Sequence, residues 1–194
     1  MARPREFDRD EALDRATEIF WDRGYAATST DDLRDAMGIG RQSLYNAFGG
    51  KRQLYMEVLA RYQVNSVEAH LQRLQKPESA LEGIRALLRG LAAGDDRVRS
   101  MGCFGVGAVA EFGSKDSELS DMSAKTRTLL MQRLEGRLRE GQRQGEIKPD
   151  LDAGELARFV MLSMTGLQVA ARAGADVQGM HQMADFAVAL IKSD

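Results

Sequence analysis

The 194-residue sequence predicts an all-α fold, and three observations carry that prediction. No segment alternates apolar and polar residues with the period of two that marks a half-buried strand. Prolines stand only at Pro4, Pro77 and Pro149, so long windows run without a helix breaker. Inside those windows apolar residues recur three and four positions apart, between capping residues and glycines. The expected organisation is a small three-helix unit over residues 1–51, followed by a larger helical unit over 52–194.

The first helix is expected from Asp8 to Arg23, with Leu13, Ala16, Ile19 and Phe20 on one stripe and Gly24 as its stop. Asp8 and Glu11 have the spacing of a capping box, with Phe7 as the apolar staple beside it. Ser29 and Asp32 form a second such box, opening a short helix that closes at Gly38. Ile39-Gly40 then reads as a tight turn, Arg41 to Phe48 as a third helix, Gly49-Gly50 as a breaker, and Lys51 to about Gln75 as a long helix. In the larger unit, helices are expected at Glu78 to Leu91, Phe104 to Phe112, Ser117 to Gln144, Asp152 to Ala173 and Val177 to Lys192. Leu119, Met122, Leu129, Leu130, Leu134 and Leu138 give the third of these one apolar stripe and a wet face. The segments Glu155–Gly174 and Met180–Ile191 are apolar nearly all round, which requires burial on more than one side: one side against the core, the other against a second subunit.

Composition narrows the function. A single cysteine, Cys103, excludes an internal disulfide framework, and with histidines only at 70 and 181 no metal site is expected. The longest apolar runs, such as FAVALI at 186–191, are far shorter than the roughly 20 residues of a membrane helix. No apolar segment follows the arginines of MARPREFDRD, so no secretory signal is read there and the expected compartment is the cytoplasm. No nucleophile with a spaced base and no phosphate loop in a strand context is found, so an enzyme is not expected. Gly105-x-Gly107-x-x-Ala110 matches a dinucleotide fingerprint only superficially, because no strand precedes it. No cofactor is implied.

The net charge is −2, yet Ala36 to Met56 contains no Asp or Glu, only Arg41, Lys51 and Arg52. At the chain's acidic frequency about three carboxylates belong in such a run. Two short helices joined by a glycine-containing turn are the sequence form of a helix-turn-helix. A helix laid in the major groove approaches phosphates on both walls, where a carboxylate is repelled and desolvated at once. The acid-free run is then the recognition helix and the start of the next.

ATEIFWDRGYAATSTDDLRDAMGIGRQSLYNAFGGKRQLY, residues 16–55, resembles the DNA-binding domain of TetR/AcrR-type transcriptional regulators. The resemblance lies in Phe20 to Tyr25 with its Gly-aromatic pair, Thr28-Ser29, Ala36 to Ile39, Leu44-Tyr45, Phe48 and Lys51. It implies that Arg41 and Gln42 face base edges, Arg suiting guanine and Gln adenine. It further implies mixed base and phosphate contacts from Ser43, Tyr45 and Asn46, and phosphate anchors at Thr28 and Lys51, while Leu33, Leu44 and Phe48 pack the helices together. Arg3 and Arg5 are candidates for a minor-groove arm, a disordered tail being the plainer reading. The sequence departs from the family pattern at Gly40 and Gly50, where hydroxyl or other capping residues are common, and at Arg34, where a small residue is usual.

The resemblance also implies a homodimer through the last two helices, a pseudo-palindromic operator, and a small-molecule effector held between residues 52 and 175. Met101, Cys103, Phe104, Met122, Met131, Phe159 and Met164 are the candidate ligand-binding residues, with core packing the plain alternative for each. Cys103 has two readings, a small buried hydrophobe or, as in some relatives with a similar Gly-Cys stretch, a thiol reactive toward electrophiles. His70 and His181 read as solvated or capped side chains, and Trp21 as the edge of the small unit's core. The expected function is a repressor released from DNA by an apolar or electrophilic effector. The alternative is a DNA-bound interaction protein of the same fold with no effector.

Overall fold

The computed structural model describes residues 7–92 and 94–193; Arg3 and Arg5 lie outside them. Ten helices are present among these residues: α1 Arg9–Arg23, α2 Thr30–Met37, α3 Arg41–Phe48, α4 Lys51–Gln75, α5 Ala80–Arg89, α6 Asp96–Met101, α7 Phe104–Phe112, α8 Ser117–Arg143, α9 Ala153–Arg172 and α10 Val177–Ile191. The described residues hold no strand beyond one isolated bridge between Ile147 and Lys192, which fastens the α8–α9 connection to the end of α10.

The helix starts follow their caps. Asp8 accepts from the N–H groups of Asp10 and Glu11 at the head of α1, while the Glu11 carboxylate turns outward to Arg15. At α2 the box is reciprocal: Ser29 accepts from the Asp32 N–H and Asp32 accepts from the Ser29 N–H. The stops at Gly24, Gly38 and Gly49 all have positive φ, the conformation that L side chains resist. Phe7 packs on the ring of Phe48, with centroids 6.1 Å apart.

The sequence reading differs from the fold in three places. Helix α6 was not expected: half of its six residues are charged and it is too short for an apolar periodicity to announce it, and Asp95 caps it by accepting from the Val98 N–H. Helix α5 is shorter than the expected 78–91 span because Ser79 caps it one residue inside. Leu129 is 40% exposed, while Leu119, Leu130, Leu134 and Leu138 are buried; next to Leu130 on a helix, Leu129 points about 100° away from the core stripe.

Two apolar clusters organise the molecule. One joins α5, α8, α9 and α10 with the far end of α4. The other gathers Leu13, Ala16, Phe20, Leu33, Leu44 and Phe48 of the first three helices around Leu54, Tyr55, Val58 and Leu59 of α4, and it also takes in Phe104, Ala108 and Leu119. Helix α4 thus belongs to both clusters, and α7 reaches from the larger unit into the core of the smaller one.

Candidate nucleic-acid interface

Helix α3 is held by one face. Leu44 and Phe48, one turn apart, are buried, and Leu44 is fully enclosed. The opposite face puts Arg41, Gln42, Tyr45 and Asn46 into solvent, with Ser43 half-buried at its edge. Gln42 Nε2 donates to Asn46 Oδ1 at 2.9 Å, so the two amides share a conformation one turn apart. The Arg41 guanidinium lies 5.9 Å from the centre of the Tyr45 ring. Past the Gly49-Gly50 turn, the Lys51 ammonium rests 4.1 Å above the ring of Tyr25.

Two sequence expectations change here. Thr28 is fully buried and its hydroxyl donates to the Gly24 carbonyl at 2.6 Å, so it closes the α1–α2 turn and has no exposed group to offer a phosphate in this conformation. Arg52, counted among the three cations of the acid-free run, is committed to α8: it pairs with Asp116 at 2.8 Å and Glu118 at 3.2 Å. The Asp116 hydrogen bond raises the Arg52 pKa, and the Arg52 guanidinium in turn holds the Asp116 carboxyl below the usual carboxylate range. The free positive charge of the run is therefore carried by Arg41 and Lys51.

Behind this face lie contacts that the sequence did not announce. Tyr55 stands edge-on to Phe20 and Tyr25, each 5.0 Å away, and to Phe104 at 5.5 Å, joining α1, α4 and α7 in one aromatic cluster. Burial pushes its phenol far above the ordinary tyrosine range. The Glu111 carboxylate, at the end of α7, accepts from the backbone N–H groups of Tyr25 at 2.8 Å and Ala26 at 2.5 Å. Arg172 of α9 donates to the carbonyls of Met101 at 2.8 Å and Asp22 at 3.1 Å, and Trp21 Nε1 donates to the Gly102 carbonyl at 3.2 Å. Trp21 is thus a core-edge residue that also fastens α1 to the α6–α7 link.

The candidate ligand residues scatter. Cys103, half-buried at the start of α7, borders three adjoining cavities. One of these, about 280 Å³ between α4, α7, α8 and α9, also receives Met164. Phe104 borders a second cavity with Cys103, beneath α1. Phe159 lines a groove of about 350 Å³ on the outer side of α9 and α10. Met101 is buried, Met122 packs on the small unit's core and Met131 on the larger one; none of the three borders the cavities described here. His70 is buried and hydrogen-bonded, so of its two readings, solvated or capped, the solvated one does not hold. Arg73 donates to its Nδ1 at 3.4 Å, which leaves Nε2 carrying the proton toward Ser66 Oγ at 3.2 Å. Burial and the nearby Arg73 charge lower its pKa to about 4, so the ring is neutral at neutral pH. His181 shares a 3.3 Å contact with Arg89. Among the described residues, no group of three His, Cys, Asp or Glu side chains is placed to hold a metal ion, and no helix is long and apolar enough to cross a membrane.

Comparison with known proteins gives the geometry a family. Residues 12–58 match the family model described as bacterial regulatory proteins, tetR family, and residues 80–187 the model described as Tetracyclin repressor-like, C-terminal domain. The chain is 32% identical over 193 residues to the uncharacterized HTH-type transcriptional regulator YezE of Bacillus subtilis, covering 98% of this chain and 100% of that one. It is 33% identical over 187 residues to the HTH-type transcriptional repressor ComR of Escherichia coli, covering 94% and 88%. Among solved structures, a cysteine-substituted form of the TetR family regulator CifR, complexed with 26-bp double-strand operator DNA, superposes with a TM-score of 0.81 at 32% identity, covering 98% of this chain and 100% of that one. With family models matching both units and relatives about one-third identical over nearly the whole chain, the chain belongs to the TetR family of DNA-binding transcriptional regulators.

Proposed function

We propose that this regulator is a homodimeric repressor of a pseudo-palindromic operator, released when a small apolar or electrophilic molecule occupies its second unit. Residues 1–51 read DNA, and residues 52–194 bind the effector and dimerise. The observation that carries the reading is the solvent face of α3, where Arg41, Gln42, Tyr45 and Asn46 stand together with Ser43 at the edge and Lys51 behind, free of carboxylates. Arg41 and Gln42 contact base edges; Ser43, Tyr45 and Asn46 contact bases and phosphates; Lys51 anchors a phosphate. Repression is supported by the description of the relative ComR as a repressor, and operator binding by the DNA complex of CifR.

Dimerisation is supported by the outer side of the last two helices. Leu162, Met183, Phe186 and Leu190 are 46–72% exposed there, an apolar patch of the kind that marks an interface. A two-fold axis through it sets two copies of α3 on symmetry-related half-sites. An effector then acts by population shift, binding more tightly to the form whose α3 spacing no longer matches the operator.

Selection of genomic fragments by the protein, repeated with an Arg41→Ala, Gln42→Ala double variant and at two salt concentrations, tests the reading. A pseudo-palindrome enriched by the parent and lost by the variant supports it. Equal loss of all sequences with rising salt sinks it in favour of backbone binding alone. For the electrophile, N-ethylmaleimide should release the parent from the selected operator and leave Cys103→Ser bound; equal release of both excludes Cys103 as the sensor.

A further inference from the structure

The cavity between α4, α7, α8 and α9 has a polar corner that no described residue completes. Gln63 is 8% exposed and lines this cavity. Its Nε2 donates to Ser123 Oγ at 2.9 Å, while its Oε1 is buried with no hydrogen-bond partner among the described residues. An amide atom buried without a partner carries a desolvation penalty that a ligand can relieve. A hydroxyl both donates and accepts, so it completes Gln63 whichever of the two amide atoms faces the cavity.

The rest of the lining sets the ligand's charge and body. Among the described residues no carboxylate borders the cavity, and the one charged side chain that does, Arg127, is exposed. His70 enters it as a neutral ring with its Nε2 proton directed to Ser66. A cation therefore finds no counter-charge and an anion finds only a solvated one. Val67, Val106, Leu130, Met161 and Met164 supply apolar surface for a body of modest size in about 280 Å³.

We propose that this cavity selects a small neutral molecule bearing a hydroxyl group, an alcohol or phenol, with Gln63 and Ser123 as the hydroxyl-recognising pair. The assignment rests on the reading that the second unit binds an effector. It adds to that reading the chemical class of the effector and the residue that discriminates it.

The test uses a matched pair of probes, 4-ethylphenol and ethylbenzene, with 4-ethylbenzoate as the anion, titrated by calorimetry into the full-length protein. The parent should bind the phenol roughly tenfold more tightly than the hydrocarbon, the cost of leaving the amide unpaired, and should bind the benzoate more weakly than the phenol. Gln63→Met, similar in length without the amide, should bind both neutral probes alike; Ser123→Ala should narrow the preference if Gln63→Met folds poorly. Equal binding of phenol and hydrocarbon by the parent, a preference that survives Gln63→Met, or no binding of either neutral probe in the millimolar range overturns the assignment. Operator release is read separately: a phenol that binds with the expected preference but leaves the operator complex intact keeps the hydroxyl site and sinks the effector reading.

Discussion

The two glycines flanking the recognition helix respond in opposite ways to the same substitution, although both are N-caps where a serine is the ordinary choice. Gly40 precedes α3 with φ −74° and ψ 159°, extended backbone that any residue adopts, and a Cβ built there meets nothing within 4 Å. Gly50 precedes α4 with φ 129° and ψ −178°, a region open to glycine almost alone, and its Cβ falls 3.3 Å from the Tyr45 ring. Gly40→Ser adds a side-chain acceptor for the first N–H groups of α3, worth a few tenths of a kcal/mol over glycine. Gly50→Ser costs about 1–3 kcal/mol in backbone strain. At roughly 2–4 °C per kcal/mol for a chain of this size, Gly50→Ser should melt about 2–12 °C lower, while Gly40→Ser melts at most slightly higher. Thermal unfolding followed by helical circular dichroism, at matched protein concentration, reads both. A Gly50→Ser variant that melts at or above the parent would refute the reasoning, because it would show that the turn relaxes freely around a side chain. Since the strained residue touches Tyr45, the same variant should also bind operator more weakly than Gly40→Ser does.

Four further outcomes follow from the same geometry. Leu44→Ala, at a fully enclosed position, should destabilise the fold by about 2–5 kcal/mol in urea unfolding; a loss under 1 kcal/mol would mean that α3 is not anchored through this side chain. Lys51→Ala should weaken binding to all DNA sequences and reduce the salt slope by about one, whereas Arg41→Ala should cost about 1–3 kcal/mol and relax preference at one base pair, both read by fluorescence anisotropy. His70 has a folded pKa of about 4 against an unfolded 6.5, so the unfolded chain binds more protons between these values and stability rises with pH across that window. The contribution, about 3 kcal/mol, is complete above pH 6.5 and lost toward pH 4; His70→Gln should flatten this slope in urea unfolding, and parallel curves for parent and variant would exclude the residue as its source. Glu111→Ala and Arg172→Ala should each lower operator affinity several-fold while dimerisation by light scattering is unchanged; unaltered affinity would show that these contacts do not set the position of the recognition helices.

The recognition helix was legible because its determinants are local. Ser29, Asp32, Gly38 and Gly49 fix the ends of α2 and α3 through bonds spanning three or four residues, and the four-residue spacing of Leu33 and Met37 and of Leu44 and Phe48 fixes which face turns inward. What stayed hidden depends on partners far along the chain. Arg52 reads as a DNA-facing cation until α8 brings Asp116 against it, 64 residues away. Glu111 reads as an ordinary surface acid, and its role comes from reaching two N–H groups 85 and 86 residues earlier. Gln63 gave no signal at all, because a polar residue on a long helix is usually solvated and only the packing of four helices shows this one enclosed. The methionines misled in the other direction: an apolar, flexible side chain is equally suited to core and cavity, and only Met164 of those singled out borders the enclosed space.

The division of contacts between the two units also bears on how release from DNA can occur. Phe104, Ala108 and Leu119 lie in the same apolar cluster as Leu44 and Phe48, so the small unit cannot swing away from α7 without exposing buried aromatic surface. That cost scales with area at about 25 cal/mol per Å², and water does not repay it. The polar links at the margin behave differently: Glu111 and Arg172 are both exposed, and their partners can exchange protein for water at about 1 kcal/mol per bond. A ligand that moves α7 should therefore carry the small unit with it through the aromatic cluster around Tyr55, while the marginal links break and re-form. Cys103 caps α7 and borders three cavities around it, so on the proposed effector reading a ligand in any of them would press on the element packed against the small unit.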